Sequence, residues 1–141
     1  LLDFGKDVFW MKKRGIINAQ LAGLLAGLGH KDLFMVADGG MPVPKGVEIV
    51  DLALCGGVPT FRQVMDAVLD EVQVEGYTLA EEIVENNPEL LSYIEEKLEG
   101  AESEMISHEQ LKEESVGLKF VIRTGEFTPY PNIVLRAGVA F

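Results

Sequence analysis

Residues 47–72 read Val-Glu-Ile-Val-Asp-Leu-Ala-Leu-Cys-Gly-Gly-Val-Pro-Thr-Phe-Arg-Gln-Val-Met-Asp-Ala-Val-Leu-Asp-Glu-Val. The first eight, Val47 to Leu54, are apolar and β-branched enough to form a strand, and Gly56-Gly57 breaks it. Thr60 and Gln63 then form a capping box, in which each side chain satisfies a backbone N–H of the first helical turn. Phe61, Val64, Met65, Val68, Leu69 and Val72 follow at i, i+3, i+4, i+7, i+8 and i+11, one continuous face of a helix. A buried strand feeding an amphipathic helix through a short turn is the unit from which layered α/β domains are built.

The same alternation extends in both directions. Upstream, Asn18 caps a helix whose face is Leu21, Leu24, Leu25 and Leu28, with Gly29 placed to end it in a left-handed conformation. Leu33 to Ala37 reads as a buried strand, Asp38-Gly39-Gly40 as a turn, and Pro42 and Pro44 as extended backbone. Downstream, Val72 to Leu79 is a strand weakened by Gly76. Asn87-Pro88 opens a helix carrying Leu90, Leu91, Ile94 and Leu98 inward. Ser103 to Ile106 is a short strand, and Ser107 to Gln110 a second capping box beginning a helix at His108. Leu118 to Arg123 and Ile133 to Phe141 close the chain as strands. The expected architecture is a single α/β/α layered domain around a central sheet, mainly parallel or mixed, spanning residues 11–141. Residues 1–10 lack the apolar core and cleavage site of a secretory signal and are expected to be an extension or cloning remnant, because Met11-Lys12-Lys13 reads as a translation start.

Composition narrows the function classes. The chain has 141 residues, 48% of them hydrophobic and 25% charged, with mean hydropathy +0.16. That excludes intrinsic disorder, and Gly23, Gly27 and His30 interrupt the richest apolar run before it reaches membrane-spanning length. The net charge of −11 opposes nucleic acid and anionic membrane surfaces as partners. Nearly all of that excess lies between Glu81 and Glu114, where 12 acidic residues meet only Lys97 and Lys112. This segment reads as a solvated helical surface, with an acidic docking surface as the alternative. The single cysteine, Cys55, cannot form an internal disulfide; it is expected to be a buried structural thiol in a cytoplasmic protein.

Few residues carry chemistry. There are two histidines, the side chains whose ordinary pKa suits proton transfer at neutral pH. His30, just past a helix stop, either faces a cleft as an acid–base group or interacts with the helix dipole. His108, in the first turn of a helix, is either functional or an ordinary surface residue. Asp38 ends an apolar strand before two glycines, the position where ligands gather on open α/β sheets; a turn-forming role is the alternative. The segment Arg-Thr-Gly-Glu-Phe-Thr-Pro-Tyr-Pro-Asn at 123–132 is a rigid polar link between apolar strands, suited to binding, with core covering by Tyr130 as the bland reading. The histidines match no metal-ligand spacing, and no Gly-rich phosphate loop is present. Neither a metal nor a cofactor is expected.

Taken together, these segments resemble the D-ribose pyranase family, related to the L-fucose mutarotases. The stretches that carry the resemblance are Gly-Ile-Ile-Asn at 15–18, Leu-Gly-His-Lys-Asp at 28–32 and Ala-Asp-Gly-Gly-Met-Pro-Val-Pro at 37–44. Further ones are Gly-Val-Pro-Thr-Phe at 57–61, Ser-His-Glu-Gln-Leu-Lys at 107–112, the 123–132 segment and Ala-Gly-Val-Ala-Phe at 137–141. Pro131 stands where the family commonly has Ala.

The resemblance implies a cofactor-independent isomerase that interconverts pyranose and furanose D-ribose. It implies His30 as catalytic proton donor, with Asp38, His108, Tyr130 and Asn132 contacting the sugar. It also implies a homo-oligomeric ring in the cytoplasm, with the C-terminal segment of one subunit completing a neighbour's site. Such chemistry needs only a proton delivered to the ring oxygen and one removed from the anomeric hydroxyl, work for a histidine and hydrogen-bonding groups. A mutarotase for fucose or another monosaccharide, and a non-catalytic sugar-binding module of a transport system, are the alternatives.

Overall fold

A computed structural model describes residues 11–141; the expected extension at 1–10 lies outside the described residues. Six strands form one sheet: β1 (Leu33–Ala37), β2 (Glu48–Asp51), β3 (Val74–Ala80), β4 (Glu102–Ile106), β5 (Phe120–Arg123) and β6 (Ile133–Ala137). Their spatial order is β2-β5-β1-β6-β3-β4. β1 and β2 pair with β5 in parallel, as does β3 with β4. β6 lies antiparallel to both β1 and β3. The sheet is therefore mixed, because the last strand enters its middle from the opposite end.

Strand alternation divides the core into two layers. Phe34, Val36, Phe120, Ile122, Ile133, Leu135 and Leu79 face a larger cluster shared with the helices α1 (Ala19–Ala26), α2 (Phe61–Leu69) and α4 (Pro88–Lys97). Met35, Ala37, Val121, Val134 and Ala80 face a smaller one closed by Leu111 of α5 (His108–Glu114). Phe34 and Phe120 stack at 5.0 Å between centroids, and each such buried aromatic is worth about 1.5–3 kcal/mol of burial.

The central strand–helix unit forms as its sequence dictates. Both halves of the Thr60–Gln63 capping box are made, a device worth about 1 kcal/mol, and Phe61, Val64, Met65 and Val68 are buried. Asn18 caps α1 by accepting from Leu21 N–H. The end of α1 differs from expectation. It stops at Gly27, not Gly29, because Asp32 and Lys119 clamp the turn. Lys119 Nζ donates to Gly27 O at 3.0 Å, and Asp32 Oδ2 accepts from Gly29 N–H at 2.7 Å. The left-handed residue is Lys31, at φ +74°.

Other differences have equally local causes. A short helix, α3 (Ile83–Asn86), precedes α4, with Ile83 wholly buried. The Ser107 box is half made. Ser107 accepts from Gln110 N–H, but the Gln110 amide turns to Glu114 and not back to Ser107, while the Glu82 carboxylate accepts the next N–H along, that of His108. Cys55, expected to be buried, is exposed, since β2 ends at Asp51 and the chain there has already left the core. The apolar run from Ile133 is explained as far as Ala137 by the central position of β6; beyond it, Val139 and Phe141 are exposed. All the acidic residues between 81 and 114 are exposed except Glu82, as a solvated surface requires. Among the described residues, no helix is long and apolar enough to cross a membrane.

Candidate active site

The 124–132 loop is the scaffold of the site and is tied down along its length. Thr124 Oγ1 donates to Ala37 O at 2.8 Å, joining the loop to the end of β1. Gly125 N–H donates to Pro59 O and its carbonyl accepts from Gly57 N–H, at 2.8 and 2.7 Å. Glu126 spends one carboxylate oxygen on Phe61 N–H, at the N-terminus of α2, and the other on the Thr128 hydroxyl. Anions are favoured at such helix ends, where N–H groups lack intrahelical partners. Buried Asn87 donates to Thr128 Oγ1 and Pro129 O, both at 2.9 Å.

Gly125 is required by space. A Cβ there would fall 2.7 Å from Cys55 O and closer still to Val58 O, both backbone atoms. Gly125→Ala is expected to cost about 1–3 kcal/mol, the usual range for overpacking. Urea unfolding should show this as a lower midpoint with an unchanged slope.

At the carboxyl end of β1 the loop brings Tyr130 to His108 and Asn132 to Asp38, four of the expected residues. Asn132 is fully buried, and its amide grips Asp38 twice. Oδ1 accepts Asp38 N–H at 2.8 Å, and Nδ2 donates to Asp38 Oδ2 at 3.3 Å. The donor and acceptor ends of that amide are thereby assigned by its partners. Asp38 Oδ1 also accepts Gly40 N–H at 2.9 Å, so the Asp-Gly-Gly turn and the binding position are one feature. Tyr130 sits at φ +62° and meets His108 edge to face, with centroids 5.1 Å apart. His108 Nδ1 is buried with no hydrogen-bond partner among the described residues. A buried polar atom of this kind is costly unless something satisfies it.

His30 lies elsewhere. Its turn precedes β1, held by Lys31 N–H on Ala137 O at 2.8 Å and by Asp32. The hydrogen bond from Gly29, and then Lys119, hold the Asp32 carboxyl below its ordinary value. β1 is five residues long; at about 3.3 Å per residue it keeps His30 at least ~16 Å from Asp38. The His30 side chain is 47% exposed, and its Nε2 is 2.8 Å from Glu75 Oε1. One chain thus gathers Asp38, His108, Tyr130 and Asn132 towards one end of the sheet and leaves His30 at the other.

Several residues of the site were not foreseen from sequence. Glu75, Glu82, Glu126 and Asn87 act through contacts 26 to 65 positions away. The one local signal was Gly76 inside a strand pattern, which marks a bulge or a close approach.

Comparison with known proteins agrees with this architecture. Residues 11–140 match the RbsD / FucU transport protein family, and the chain belongs to that family. D-ribose pyranases from two strains of Bacillus cereus are 48% identical over 131 residues, covering 93% of this chain and 100% of each relative. The structure of Bacillus subtilis RbsD complexed with D-ribose superposes with a TM-score of 0.89 at 46% identity, covering 93% of this chain and 100% of that one. The fucose mutarotase from Streptococcus pneumoniae, in complex with L-fucose, shares the fold at a TM-score of 0.75 and 21% identity, over 89% of this chain and 95% of that one.

Proposed function

We propose that this chain is a D-ribose pyranase, opening the pyranose ring and reclosing it as the furanose. The observation that carries the reading is near-half identity to D-ribose pyranases along the entire domain, joined to the fold of a ribose-bound relative. In the reaction, a proton reaches the ring oxygen as the anomeric hydroxyl loses one, the C–O bond breaks, and the free aldehyde forms. Attack by the neighbouring hydroxyl closes the five-membered ring and returns both protons. A positioned acid–base group accelerates such a step by roughly 10²–10⁴-fold.

In this reading His30 is the proton donor, and Asp38, His108 and Tyr130 hold the sugar. Asp38 has lone pairs for hydroxyl donors, and a hydroxyl would satisfy His108 Nδ1. Asn132, with both amide atoms engaged, contributes by aiming Asp38. Because one chain separates His30 from the others, the working site forms between two copies, in a closed homo-oligomer with head-to-tail contacts. A cytoplasmic location fits an exposed, unpaired cysteine.

The test is proton saturation transfer between ribose anomeric signals, with and without protein. Accelerated exchange for ribose but not for fucose is expected. Acceleration for fucose alone would make the chain a fucose mutarotase, and none for any sugar would make it a binding module.

A further inference from the structure

β3 contains an irregularity in its pairing with β6. Val74 pairs with Ala137 of β6 and Gly76 with Arg136, so Glu75 is the extra residue of a bulge. Bulges re-aim side chains, and this one turns the Glu75 carboxylate to His30 Nε2 at 2.8 Å. Its other oxygen accepts from Arg136 Nε, also at 2.8 Å. Arg136 continues across the sheet to Glu102 of β4. Arg136, Gly76 and Glu102 lie in one cross-strand row, and the guanidinium lies over the glycine in the middle. A Cβ at Gly76 would overlap Arg136 Nη2 and lie 2.7 Å from its Cζ.

We propose that Glu75 is the positioning residue for His30: it accepts the Nε2–H, fixes the ring's orientation, and leaves Nδ1 as the nitrogen that exchanges protons with the sugar. This rests on the reading of His30 as the catalytic acid. An ionised carboxylate only accepts hydrogen bonds, so the nitrogen facing it carries hydrogen whether the ring is neutral or charged. The tautomer of a histidine is set by the bond its other nitrogen makes. The reactive proton is then on Nδ1 in the imidazolium. It passes to the ring oxygen on opening, and Nδ1 recovers one from the attacking hydroxyl on closing. Arg136 keeps Glu75 in its ionised, accepting form. The hydrogen bond from His30, then that from Arg136, hold the Glu75 carboxyl below its ordinary value.

Nitrogen-15 histidine NMR on the intact protein tests the dyad directly, since the chain has two histidines and a His30→Ala sample assigns them. The expected result is a protonated, downfield Nε2–H on neutral His30, lost in Glu75→Ala. In ribose exchange, Glu75→Ala is expected to lower kcat roughly 10- to 100-fold, the scale of a misoriented reacting group, with KM nearly unchanged. Glu75→Gln, which retains an acceptor oxygen, should recover part of that loss. A neutral His30 protonated on Nδ1, or Glu75→Ala with wild-type kcat, overturns the proposal. If the wild type accelerates no ribose exchange, the catalytic reading fails, and the resonance still decides whether Glu75 sets the tautomer.

Discussion

His30→Ala is expected to remove the protein's acceleration of ribose ring exchange, a loss of roughly 10²–10⁴-fold if His30 supplies the acid–base step. The fold should survive. The side chain is nearly half exposed and touches the rest of the molecule through Glu75, which keeps Arg136 as a partner. Circular dichroism and the urea midpoint should match the wild type while saturation transfer falls to the rate of buffer alone. A variant that exchanges ribose at the wild-type rate would remove His30 from the mechanism.

Activity is expected to return when two inactive variants are combined. His30→Ala and Tyr130→Ala rings, each silent, are dissociated, mixed and reassembled. At some interfaces of a mixed ring an intact His30 then meets an intact Tyr130 from the neighbouring copy. With random mixing about a quarter of interfaces pair the two intact residues, so partial recovery towards a quarter of wild-type activity is expected for a heterologous ring. The physical basis is the length of β1: no rotamer of His30 spans the ~16 Å to Asp38 within one chain. Verified mixed rings without activity, or a monomer at micromolar concentration by ultracentrifugation, would rule out the shared site.

Most of the secondary structure was legible because its causes are local. The face from Phe61 to Val68, the Thr60 cap and the Pro88 helix start each depend on residues within a few positions, and each formed where expected. The errors fall where a distant group intervenes. Gly29 carried the right composition for a helix stop, yet Lys119, 92 positions from Gly27, supplied the clamp that ended α1 earlier. Gln110 completed the capping-box pattern at Ser107, yet its amide turns to Glu114, and Glu82, 26 positions away, takes the neighbouring His108 N–H. The closing strand expected over Ile133 to Phe141 stops at Ala137, where its pairing with β1 and β3 ends.

The site divides in the same way. Residue type drew attention to His30, His108, Asp38 and the polar 123–132 segment, because few side chains in this sequence move protons or bind hydroxyls from rigid polar turns; the family resemblance then named Tyr130 and Asn132 within that segment. Sequence also determined the alternation of strands and helices and the acidic outer surface, since these follow from periodicity and composition. Only the tertiary structure decided that Asn132 grips Asp38 and that a bulge aims Glu75 at His30. Those facts depend on strand order and register, on β6 entering the sheet antiparallel between β1 and β3. That choice is made by the packing of both sheet faces at once, which no window of neighbouring residues contains.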